Sequence, residues 1–236
     1  MSNFKTTPAL ILLLVLTIFT QSSFAKFATS EELTEKYPSI SESSTRPQNK
    51  KILCPFWRLI ERSGALDAIK VARKTDVIVS LSNIVDKAFE FGCEKFGCGA
   101  VATLVSGGQL TKFATRIGHV NLSKLHKATG VAHDCGFTFE KGASEISEKQ
   151  IATTLSRMKQ IADSNPIQGT LYKSDLMKVK LQICKEQGVK ITKPGDVEVG
   201  LIFSFLGGKD NNHIQYEDVV RLFNAEMPKT KAVNAI

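Results

Sequence analysis

No run of five or more basic residues occurs in this 236-residue chain, although its formal net charge is +8. Without a basic stripe interleaved with aromatics, nucleic-acid binding has no footing. The scattered charge reads as a soluble surface. CxxC, HExxH and the other zinc-ligand spacings are absent, so a structural zinc site is not expected. After residue 25 no stretch is long and apolar enough to cross a bilayer. β-branched alternation is scarce, which argues against a large sheet. No internal repeat implies a solenoid.

What is present begins with a leader. Lys5 gives a weakly positive start, "ALILLLVLTIF" (9–19) an apolar core, and "SFA" (23–25) small residues at a cleavage site. That is a secretory signal pattern. Residues 1–25 are expected to be removed, leaving a secreted, extracellular chain of net charge +7 that is not held at a membrane. Residues 26–49, rich in Ser, Thr, Lys and Glu, read as a loosely ordered arm. Residues 50–230 form the domain, long enough for one real core, and 231–236 are a tail.

Five cysteines remain: Cys54, Cys93, Cys98, Cys135 and Cys184. An odd number in an oxidising compartment leaves at least one thiol unpaired or bound to something. Cys93 and Cys98 would pair locally only if the flanking glycines turn the chain.

The apolar pattern is helical throughout. Val77, Leu81, Ile84, Val85, Ala88 and Phe89 mark one buried face. "CGAVATLVSGG" (98–108) reads as a short buried helix, and "NLSKLHKATG" (121–130) as an Asn-capped one. Ser147 with Gln150 forms a capping-box pattern before Ile151, Leu155, Met158 and Ile161. Further helices are expected near Ser174–Glu186, Val197–Leu206 and Tyr216–Asn224. The fold class expected is all-α, a single helical domain.

"KILCPFWRLIERSGALD" (51–67) carries the sharpest chemistry. Cys54 fits the N-cap of a helix, Pro55 its first residue, and Gly64 its end. Helix N–H groups directed at the sulfur, with the helix dipole, favour thiolate over thiol. Such a thiolate suits the axial position of haem iron. The same spacing suits a half-buried disulfide cysteine.

"CPFWRLIERSGAL" resembles the proximal motif of the fungal haem-thiolate peroxidases, the chloroperoxidase and unspecific peroxygenase family. "VNLSKLHKATGVAHDCGFTF" (120–139) resembles that family's distal stretch, a Leu-rich helix leading into Glu-His-Asp or Glu-Gly-Asp and then Ser. "VEVGLIFSFLG" (197–207) and "RLFNAEMP" (221–228) resemble its Gly-Glu and closing Glu-Arg-Leu-Pro segments. All four stand in the family's order.

The resemblance implies an all-α haem-thiolate peroxidase-like domain binding haem b, with Cys54 as the iron's axial ligand and Pro55 beside it. The haem would lie between the Cys54 helix and the Glu198 helix. Glu198 would be the acid–base group, His133 its orienting partner, and Asp134 the partner of His133. The implied activity is H2O2-dependent oxidation or oxygenation of a small organic substrate, or of halide, as in a peroxygenase or haloperoxidase. One departure stands out. Ala132 and Gly136 replace the glutamate and serine that hold a divalent cation in the family. Two oxygen ligands are gone, so Mg2+ or Mn2+ is not expected.

Two rivals come from other classes. A secreted binding protein without catalysis would fit Ala132 and Gly136. A degenerate EF-hand is the other, from "GGKDNNHIQYEDVVRLF". With Ile214 at the eighth loop position, Gly207, Asn212 and Asp218 fall where the first aspartate, the glycine and the bidentate glutamate belong. "DSNPIQGTLYKSDL" (163–176) looks no better in register.

Overall fold

The computed structural model describes residues 28–66, 68–69, 76–93, 118–127 and 134–230. It is mostly helical, with two small antiparallel ladders. Buried apolar side chains from Leu33 to Met227 form one cluster.

The chain enters through α1 (Ser30–Lys36), capped by Thr29 and Glu32 in a reciprocal box. A single 3-10 turn, Pro38–Ile40, follows. Leu33 and Ile40 are fully buried. This stretch therefore differs from the loose arm expected from its composition: two apolar anchors suffice to dock it. Lys36 and Tyr37 hold it to Glu90 of a later helix.

Helix α2 (Pro55–Ser63) follows, ended by Gly64 at φ +79, a backbone conformation that glycine adopts without cost. Two arginines one turn apart lock α2 to the end of the chain. Arg58 donates to the carbonyls of Ile52, Leu53 and Phe223. Arg62 donates to those of Arg46, Ser44, Asn224 and Ala225.

The first ladder joins β1 (Ala68–Ile69), β2 (Ile78–Ser80) and β3 (His119–Asn121). The apolar face expected from Val77 to Phe89 is thus split. Its β-branched start pairs as β2, and α3 (Leu81–Glu90) begins only where the Ser80 hydroxyl accepts the Asn83 N–H. Likewise, Asn121 ends β3 rather than capping an α-helix. Leu122–Lys127 is 3-10, because Leu122 N–H goes to Val77 O and Ser123 Oγ accepts from Val77 N–H. The expected helix at 98–108 and residues 128–130 lie outside the described residues.

The rest is two helix–loop–helix units. The first is α4 (Glu148–Ser164), β4 (Thr170–Leu171) and α5 (Lys173–Glu186). The second is α6 (Lys193–Phe205), α7 (Gly208–Asn211), β5 (Ile214–Gln215) and α8 (Tyr216–Phe223). Pairing of β4 with β5 sets Thr170 opposite Gln215 and Leu171 opposite Ile214. Ser147 caps α4 as expected by accepting from Gln150 N–H. The Gln150 amide reaches Thr154 and the Gly136 carbonyl. A disulfide, Cys135–Cys184, ties the 134–140 segment to α5.

Candidate functional site

Cys54 sits at the N-cap of α2 in extended backbone, and its carbonyl accepts the first intrahelical bond, from Arg58 N–H at 3.0 Å. Pro55 takes the first helical place, where no N–H is needed. Cys54 is free, whereas Cys93, Cys135 and Cys184 are all disulfide-bonded. The odd thiol expected in the sequence is therefore this one among the described residues.

Its protonation differs from the expectation. Burial pushes the Cys54 thiol above its ordinary value, and the negative charge of Glu198 acts in the same sense. The N–H groups of Trp57 and Phe56, with the Arg58 guanidinium, pull the other way but are outweighed. The helix mouth does favour thiolate; removal of the half-buried sulfur from water, with the Glu198 charge, favours thiol more. A ferric ion at the sulfur would reverse this, because a coordinating thiol is deprotonated by the metal's own charge.

Arg58 is fully buried, and burial pulls its guanidinium down to about 10 against the opposing influence of Cys54. Its Nε has no hydrogen-bond partner. Both terminal nitrogens donate to backbone carbonyls, three in all, so a positive charge is fixed one helical turn from the sulfur.

Glu198 comes from α6. This helix starts at Lys193, with Pro194 in its first turn, four residues before the expected Val197. Glu198 therefore lies in the second turn, beyond the reach of a helix-start effect. Its carboxylate is salt-bridged to Lys180 Nζ of α5. Lys180 is fully buried, and Glu198 is 11% exposed. At 100° per residue, Phe205 lies roughly 20° round α6 from Glu198, Leu201 roughly 60° and Val197 roughly 100° to the same side. Leu201 and Val197 are exposed, and Phe205 packs edge-on to Phe56 of α2 at 5.0 Å. A free thiol is the kind of soft donor that haem iron takes, and Phe56, two residues on, supplies an apolar contact to α6.

The remaining expected residues are less well joined to the site. His133 and Ala132 lie outside the described residues. Asp134 is exposed. Gly136 is buried, and a Cβ there would lie 2.0 Å from Phe139 Cε1. The Phe139 ring thus occupies the place a serine side chain would take. No group of three or more His, Cys, Asp or Glu suited to a metal ion occurs among the described residues.

Lys180 was not visible as a site residue from motif reading. A signal existed nonetheless: it falls on the apolar face of α5, four residues from both Leu176 and Cys184. A lysine in that register is buried only when paired.

The helix–loop–helix pair bears on the calcium alternative. Leu171 opposite Ile214 puts Gly169, at φ +79, on the sixth position of the first loop and Asp175 on the twelfth. This register is better than the sequence implied. The ligand places are otherwise poor: Ser164, Pro166 and Gln168 fill positions one, three and five. The Asn165 amide donates 2.9 Å bonds to both Thr170 O and Asp175 Oδ2. It thereby satisfies two oxygens that a cation would otherwise hold. In the second loop Asp218 accepts from Lys229 N–H and Thr230 N–H. An open groove along α4 and α5, lined by Ala152, Ser156, Arg157 and Lys178 among others, includes neither Cys54 nor Glu198.

No family model, curated protein or solved structure matches the chain.

Proposed function

We propose that the chain is a secreted haem-thiolate protein that uses H2O2 to oxidise or oxygenate a small organic substrate, or halide. One observation carries this reading. The helices that bear Cys54 and Glu198, distant in sequence and each singled out for a separate role, meet where Phe56 of α2 packs edge-on to Phe205 of α6 at 5.0 Å, and the glutamate's charge acts to raise the thiol.

Cys54 would hold the iron, with its backbone fixed by Pro55 and by the α2 cap. Phe56, packed on Phe205 of α6, supplies apolar surface two residues from it. A haem held by the Cys54 thiolate would bring the chemistry of O–O bond cleavage, which an electron-donating sulfur ligand favours. The chain supplies the proton handling. A group that takes a proton from peroxide and returns it to the departing oxygen must be a carboxylate or imidazole in reach. Glu198 is the carboxylate that fits, accepting at its Oε atoms. Arg58 offsets negative charge at the sulfur from within the protein.

The test is a peroxide-turnover assay on mature protein reconstituted with haem. Turnover lost in Cys54→Ala supports the proposal, and a chain that binds haem without turnover in any assay contradicts it. The second reading, binding without catalysis, is favoured by Phe139 filling the space at Gly136. It predicts that last outcome.

A further inference from the structure

We propose that Lys180 is the positioning residue for Glu198, in the role the family resemblance gives to His133. This rests on the assignment of Glu198 above. Lys180 reaches the carboxylate from a different helix, α5, with its whole side chain buried. Its route is defined on both sides. On one side is Gly195 of α6, where an added Cβ would meet Lys180 Cε at 3.4 Å and Nζ at 3.9 Å. On the other is the Phe137 ring, whose centroid lies 5.0 Å from Nζ. Gly195 precedes Glu198 by one turn, so the lysine crosses α6 at the glycine and ends on the glutamate.

The chemistry follows from charge. A carboxylate removed from bulk water is stable as an anion only beside a cation. Lys180 supplies that cation and holds the carboxylate at Oε2. The Phe137 face stabilises the ammonium where water is scarce. The Cys135–Cys184 disulfide holds the Phe137 segment against α5 four residues beyond Lys180. Lys180 therefore does not touch the reacting atoms. It sets where Glu198 points and in which form it waits.

The experiment is infrared spectroscopy of the haem-free full chain at neutral pH. The carbonyl stretch of a protonated carboxylic acid is assigned to Glu198 by its loss on adding Glu198→Gln. The wild type should lack this band, Lys180→Met should gain it, and Lys180→Arg should lack it again. A folded Lys180→Met chain without the band overturns the proposal. If Lys180→Met does not fold, the Lys180→Met/Glu198→Gln pair decides. Folding of the pair shows that the lysine was needed for the glutamate's charge. Its failure to fold makes Lys180 merely structural and overturns the proposal.

With haem bound, Lys180→Met should slow the peroxide reaction by roughly 10²- to 10⁴-fold, as loss of a positioned acid–base group does. Lys180→Arg should restore most of it, and a folded Lys180→Met chain at wild-type speed counts against the role. A chain that takes up no haem defeats the functional reading of Glu198 whatever the infrared result.

Discussion

Haem uptake by this chain should rise steeply with pH, and the cause is the half-buried thiol of Cys54. Burial and Glu198 raise that thiol above its ordinary value near 9.0. At neutral pH the haem-free protein therefore holds a thiol, while ligation needs a thiolate. One proton must leave for each haem bound. Apparent affinity should then gain about tenfold per pH unit, or about 1.4 kcal/mol, as long as the pH stays below the thiol's own value. Between about pH 6 and pH 8 that amounts to roughly 100-fold. A haem titration followed by Soret absorbance at several pH values measures it, with Cys54→Ala as baseline. The slope should vanish in Cys54→Ala. Iodoacetamide should also alkylate Cys54 in the haem-free chain more slowly at neutral pH than an ordinary exposed thiol. A flat affinity profile, or the same slope without the cysteine, would refute the reasoning.

Three other outcomes are expected. Glu198→Gln keeps shape and reach but cannot exchange the proton, so stopped-flow mixing with H2O2 should show roughly a 10²- to 10⁴-fold slower reaction with haem content unchanged. Gly136→Ala forces the Phe139 ring aside and should cost about 1–3 kcal/mol in urea unfolding; a neutral result would mean the ring moves freely. Glu90 is the acid-sensitive tie between α1 and α3. Burial pushes its carboxyl up, but bonds from Lys36, Lys87 and Tyr37 together outweigh that and hold it at about 2. Its stabilisation is present above about pH 4.5 and is lost as pH falls towards 2. Glu90→Gln should thus cost about 1–2 kcal/mol at pH 7, after discounting for solvent screening, and almost nothing near pH 2.

Local rules made much of the helical framework readable. Pro55 and Gly64 bracket α2 because one lacks an N–H and the other accepts positive φ. Ser147 starts α4 by the bond its hydroxyl makes. The failures are where partners far along the chain decide. Val77 and Leu81 open a helical spacing, yet β3 offers the intervening Ile78–Ser80 a ladder more than thirty residues later. Asn121 has the look of a cap, but its amide goes to Asp76. The Cys54 thiol was readable as a helix-mouth sulfur, whereas the partial burial and the Glu198 charge that raise it were not. The protonation expected from the helix alone therefore came out with the wrong sign. Lys180 shows the same limit, since only the meeting of α5 with α6 gives a buried lysine its carboxylate.

The central claim is that Cys54 is the ligand of haem iron. The most direct measurement is the CO-difference spectrum of the reduced, haem-reconstituted chain beside Cys54→Ala. A thiolate-type peak in the first that disappears in the second is the predicted result. Haem uptake with an identical spectrum in both, or no uptake by the wild-type chain, would contradict it.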